Sequence, residues 1–157
     1  MSNQFFEIKN GNFVASEKNK VKNVNLKIEN KGDIISLLGP SGVGKTTILR
    51  TIAGLQKLDS GEIFLKEKLI SSNSVHLEPE KRNIALSFQD NYLFPNYKVI
   101  DNINFGKRRS NGNNFSFESK DIIKILHIEP ILEKYPHQIS AGEAQRASLA
   151  RSLMSKP

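Results

Sequence analysis

An α/β fold is predicted by three observations on the chain. An apolar run at 34–38 (IISLL) feeds a glycine-rich stretch at 39–47 (GPSGVGKTT), which opens a helical segment stopped at Gly54. Two segments of alternating polarity, 5–9 (FFEIK) and 24–29 (VNLKIE), precede it and read as half-buried strands. From Gln89 onward the apolar residues switch to helical spacing. The run at 34–38 is apolar on both faces and so is expected as a buried parallel strand. Residues 45–53 follow as a helix closed by glycine.

Between that strand and helix the order of residues dictates a chemistry. Gly39, four free positions (Pro40, Ser41, Gly42, Val43), then Gly44, Lys45, Thr46 and Thr47 fit the phosphate-binding pattern. Glycines let the backbone close until several N–H groups point at one anion. The helix adds the positive end of its dipole. Lys45 is expected on the outer phosphates and Thr46 on Mg2+.

The remaining elements follow in order. Residues 11–20 read as strand and then turn, and the turn at 59–62 (DSGE) leads into a further antiparallel strand at 63–65. Residues 84–88 (IALSF) form another short apolar run of the buried kind. Helices are expected over 99–105 and 121–126, separated by a polar loop at 107–114, with Pro136 interrupting any helix through Tyr135. The last segment, 141–154, places Ala144, Ala147, Ala150 and Met154 on one face, and those small residues imply close packing against a sheet.

Composition narrows the classes of function. The 157 residues carry a formal net charge of +7. The basic residues are scattered, and the one run, Lys107, Arg108 and Arg109, lies beside a polar Asn-rich loop, so no nucleic-acid partner is expected. Absence of cysteine excludes disulfides and thiolate metal sites. His76, His127 and His137 have no metal-ligand spacing. No apolar run approaches the roughly 18 to 20 residues that span a bilayer, and the first residues lack a signal pattern. A cytosolic protein is expected.

Two further stretches carry a resemblance. Residues 76–106 (HLEPEKRNIALSFQDNYLFPNYKVIDNINFG) resemble the Q-loop region of ATP-binding-cassette (ABC) ATPases, and 135–153 (YPHQISAGEAQRASLARSL) are similar to their signature segment. Phosphate loop, Q-loop and signature come in the same order and spacing along essentially the whole chain. The resemblance implies a P-loop NTPase core with an antiparallel β subdomain and a helical insert. Residues 1–88 and 139–157 would form the core and β subdomain, and 89–138 the helical subdomain. Gln89 would ligate Mg2+ or its water. Ser140, Ala141 and Gly142, at a helix start, would close over the γ-phosphate held by a second ATPase subunit in a head-to-tail dimer. The implied role is the ATP-binding subunit of an importer, working with transmembrane permease subunits on the cytoplasmic face of the membrane. The pattern at 79–82 and 93–95 looks most like importers of ferric iron, polyamines, other inorganic ions or sugars.

Departures from the family pattern are also legible. Ala141 stands where glycine is usual and Glu143 where glutamine is usual. The position of the adenine-stacking aromatic aligns with Ala15, leaving Phe13 as the nearest substitute. No apolar strand followed by Asp-Glu occurs in the chain, so the core sheet is expected to be incomplete, the chain a first part of an importer ATPase that binds ATP weakly and does not hydrolyse it alone. The strands at 34–38 and 84–88 are then expected not to be neighbours. A non-catalytic nucleotide-binding module, or a different phosphate-loop enzyme such as a nucleotide kinase, are the alternatives; the latter requires a basic substrate-phosphate cluster that the sequence lacks.

Overall fold

The computed structural model describes residues 5–14, 20–88, 92–108 and 118–157, which divide between two units, Met1–Arg82 and Asn83–Pro157. In the first, alternation of apolar and polar residues builds strands β1 (Phe6–Val14) and β2 (Lys20–Ile28), joined by β3 (Ser60–Leu65) and β4 (Lys68–Ser71). They form one antiparallel sheet in the order β2-β1-β3-β4. Ile8 faces Leu26 on one side and Ile63 on the other, and Phe6, Ile8, Phe13, Ile63 and Ile70 are buried. Helix α1 (Lys45–Ile52) contacts β1 and buries Thr47, Ile48 and Thr51.

The β1 pairing slips around Gly11, where a Cβ would lie 2.6 Å from a methyl of Ile8 and 2.9 Å from the Phe13 ring. Asparagine side chains hold the irregular stretch. Asn25 Oδ1 accepts from the Asn10 N–H at 2.9 Å, and Asn12 accepts from the Asn23 N–H at 2.9 Å while donating to Ser60 Oγ at 2.7 Å.

The second unit is helical. Helix α2 (Val99–Arg108), α3 (Ser119–Ile125) and α4 (Ala141–Met154) enclose a core of Val99, Ile103, Ile122, Ile128, Ile131, Ala147, Ala150 and Met154. Single turns of 3-10 helix at Glu129–Ile131 and Pro136–Gln138 link α3 to α4. The buried Asn102 pins the approach to α2: its Oδ1 accepts from the Phe94 N–H at 2.8 Å and its amide donates to the carbonyls of Phe94, Tyr97 and Lys98.

Several expectations need correction. Residues 34–38 have no regular secondary structure and join no ladder among the described residues, and Ile34 and Leu38 are 93% and 87% exposed. Residues 84–88 are likewise unladdered. The small residues of α4 pack against α2 and the helical core, not a sheet. Small side chains report only that a neighbour comes close, whatever its kind. Close approach is real: a Cβ on Gly106 of α2 would collide with the backbone carbonyl of Arg151 in α4. Strand β4 escaped sequence reading because its hairpin turn, Lys66 and Glu67 at φ 50° and 63°, lacks the usual Asn or Gly.

Candidate functional site

The phosphate-loop sequence folds into a tight turn followed by α1. Gly44, at φ 105°, is the cap residue of α1, and a side chain there would run into Val21 of β2. Gly39, at φ 151°, lies close under Val43, whose Cγ1 would meet a Cβ at 3.2 Å. The Val43 N–H donates to the Pro40 carbonyl at 3.4 Å, and the Ile48 N–H to the Gly44 carbonyl at 3.0 Å, which begins the helical ladder.

That leaves the first N–H groups of α1 without intrahelical acceptors, as at any helix start. What meets those groups differs between helices. At α3 a capping box of Glu118 and Asp121 serves these donors, and at α4 one of Ser140 and Glu143 does so. Helix α1 has no side-chain cap and no acidic residue in its first turn. Its own cap and first turn thus leave its positive end uncompensated, which is the electrostatic condition for holding an anion. Lys45 Nζ lies over the same turn, donating to the carbonyls of Gly39 and Pro40 at 2.7 Å each. Thr46 is exposed and Thr47 buried, so Thr46 is the hydroxyl offered to solvent. Uncapped amides, an ammonium over the turn and an exposed hydroxyl suit a polyphosphate with a hard divalent cation.

The segment at 140–143 belongs to the second unit and is also a helix start. Ser140 Oγ accepts from the Glu143 N–H at 3.3 Å and donates to Glu143 Oε2 at 2.8 Å. The same carboxylate oxygen accepts from the Ser140 N–H at 2.8 Å. These bonds, the backbone one first, hold the Glu143 carboxyl below the ordinary glutamate value. Glu143 thus already takes the donors of Ser140, and an anion approaching there must compete with it.

Other expected positions sort as follows. Gln89 and Ala15 lie outside the described residues, as does Arg109. Phe13 is fully buried, so it presents no face for stacking on a base. His76 stands 3.4 Å from an Arg82 nitrogen, His137 stacks on Tyr135, and no group of His, Asp or Glu fit to hold a metal exists among the described residues. Tyr92 is 63% exposed, and Phe94 meets Tyr97 and Phe105 edge to face with the Arg151 guanidinium over its ring. Arg82 enters the sequence reading only within the pattern at 79–82, with no role of its own: it is buried at the C-terminal end of α1, where Gly54 follows the helix.

Residues 21–157 match the family described as ABC transporter. An Fe(3+) ions import ATP-binding protein of Haemophilus influenzae is 35% identical over 159 aligned residues, which cover all of this chain and 44% of the relative. A spermidine/putrescine import ATP-binding protein of Lawsonia intracellularis is 38% identical over 156 residues, 96% of this chain and 40% of the relative. The chain thus spans less than half the length of these curated relatives. Among solved structures, a dimeric ATP-binding cassette in a post-hydrolysis state bound to ADP and Pi superposes with a TM-score of 0.77 at 26% identity, over 98% of this chain and 71% of that one. A nucleotide-free cassette at 22% identity and TM-score 0.78 has the same fold.

Proposed function

The chain belongs to the ABC transporter family, and we propose that it is the ATP-binding part of an import system, coupling nucleotide binding to solute movement through permease subunits in a membrane. The observation that carries this reading is the start of α1, which alone among the four α-helices of the described residues has no acidic residue in its first turn, while Lys45 overhangs it. In this reading the backbone of Ser41 to Gly44 and the side chain of Lys45 hold the β- and γ-phosphates, and Thr46 and Gln89 hold Mg2+. ATP with Mg2+ supplies the phosphoanhydride whose binding and cleavage drive transport. To engage a phosphate, Lys45 exchanges its bonds to the Gly39 and Pro40 carbonyls for charge-assisted ones.

Ser140, Ala141 and Gly142 serve a second ATPase subunit, closing on the nucleotide held by its phosphate loop in a head-to-tail dimer. The exposed Tyr92 and the Phe94 cluster fit a contact with a permease, where aromatic anchors are favoured. That contact would keep the protein at the cytoplasmic face; no helix among the described residues is long and apolar enough to cross a membrane. The 157-residue chain binds ATP weakly and does not turn it over by itself, since its sequence offers neither a carboxylate to polarise water nor a second Mg2+ carboxylate after an apolar strand.

Titration of a fluorescent ATP analogue tests the site. Lys45→Ala removes a charge-assisted bond of about 1.5 to 3 kcal/mol, so affinity should fall roughly 10- to 150-fold. Wild-type affinity in that variant would exclude the phosphate loop as the binding site.

A further inference from the structure

Arg82 is 2% exposed, yet none of its hydrogen-bond partners is a carboxylate. Nε donates to the Leu77 carbonyl at 2.6 Å, Nη1 to the carbonyls of Thr51 and Ile52 at 2.9 Å each, and Nη2 to Ser71 Oγ at 2.9 Å and towards His76 Nδ1 at 3.4 Å. A guanidinium has five N–H donors, and four of them meet uncharged oxygens, while the His76 ring nitrogen lies beside Nη2. Burying a cation is costly, and the compensation comes from the charge of Glu78 and from the negative end of a helix dipole, because Thr51 and Ile52 are the last residues of α1. Gly54 makes the arrangement possible: at φ 84° its Cβ, if present, would lie 2.5 Å from Arg82 Nε. Ser71 and Leu77 belong to the other side of the joint, since Ser71 ends β4 and the Leu77 N–H donates to the Ile70 carbonyl of that strand.

We infer that Arg82 is a positioning residue for the phosphate loop: its guanidinium fixes the far end of α1 to β4 and so sets where the amides at the near end point. This rests on the ATP-binding reading of that loop. Helix α1 is an eight-residue rod, about 12 Å long, clamped at both ends. At the start, Gly44 seats against Val21 of β2; at the finish, Arg82 holds the terminal carbonyls. A rod released at one end pivots about the other, and the loop amides at its start turn with it. Lysine cannot substitute, because a single ammonium offers three donors from one point and cannot span carbonyls on α1 and acceptors near β4 together.

The test uses the whole 157-residue chain with two readings, affinity for the fluorescent ATP analogue and the amide NMR positions of Gly42, Gly44, Lys45 and Thr46 without nucleotide. Arg82→Lys should weaken binding about tenfold, the size of one charge-assisted bond, and displace those four amides. Methylguanidinium added to Arg82→Ala should restore both readings. A variant that melts earlier but keeps wild-type affinity and amide positions would overturn the inference, leaving Arg82 a stabilising residue only. If the Arg82 variants do not fold, Ser71→Ala, which removes one acceptor and leaves the guanidinium, should shift the same amides by a smaller amount; unmoved amides there overturn it equally. Should the wild-type chain fail to bind the analogue, the ATP reading falls, and the nucleotide-free amide positions decide the Arg82 inference alone.

Discussion

Two glycines in the helical unit show how one residue type answers to different demands. Gly106 lies where α2 and α4 touch, and a methyl there would strike the Arg151 carbonyl and come within 3.2 Å of the Met154 Cβ. Alanine would gain up to about 1 kcal/mol of helix propensity, but forcing two backbones apart costs roughly 1 to 3 kcal/mol. The clash wins, so Gly106→Ala should lower the melting temperature. Gly142, in the first turn of α4, has only the end of Arg146 near it, at 3.7 Å, and needs no unusual φ. Gly142→Ala should therefore leave the melting temperature unchanged or raise it, and a clear loss of stability would show a constraint that the packing lacks. Nothing in the chain's own packing requires glycine at 142. An approach from outside the chain would, which is what the proposed contact with a second subunit's nucleotide supplies.

At the scale of elements, α4 is held at its start by a reciprocal pair of bonds, and that makes it sensitive to acid. The Glu143 carboxyl titrates below its ordinary value because the Ser140 N–H, and then the Ser140 hydroxyl, favour the ionised form. A depressed folded value means the stabilisation is complete above the unfolded value, about 4.3, and is lost as pH falls through the folded one. Amide exchange over 141–145 should accelerate as pH falls below about 4, after correction for intrinsic rates. Glu143→Gln should flatten that step; an undiminished step would place the titrating group elsewhere. Ser140→Ala should cost about 1 kcal/mol near neutral pH and less in acid, where its hydroxyl no longer donates to a carboxylate. The same signals explain what could be read in advance. Ser140 with Glu143, and Gly54 after a helical run, are local chemistry, and α1 and α4 end within a residue of their expected limits. Partners are not local. Residues 34–38 announce a strand but not what lies beside it, the small face of α4 announces a close neighbour but not whether it is helix or sheet, and Lys66-Glu67 reaches positive φ without a residue that advertises it. Arg82 was illegible for the same reason, since its partners come from residues 51 to 77.

For the molecule as a whole, the feature that dominates its solution behaviour is the segment entering the phosphate loop. Ile34, Ile35, Leu37 and Leu38 are 93%, 51%, 44% and 87% exposed, on backbone that joins no sheet among the described residues. Covering four such side chains is worth roughly 5 to 10 kcal/mol, comparable to the 5 to 15 kcal/mol that holds a whole domain together. An apolar segment with free N–H and C=O groups is a template for strand pairing. Charge repulsion opposes it, but a formal +7 spread over the whole surface is screened beyond about 8 to 10 Å in physiological salt. Contact at the segment is short-range, so attraction should win. The purified 157-residue chain should therefore self-associate, with mass rising steeply with concentration in sedimentation velocity. Ile34→Lys combined with Leu38→Lys should return it to a monomer. Because both side chains are already in water, the double variant should melt no earlier than the wild type. A monomeric wild type, or a double variant that melts several degrees lower, would mean that 34–38 is covered in solution.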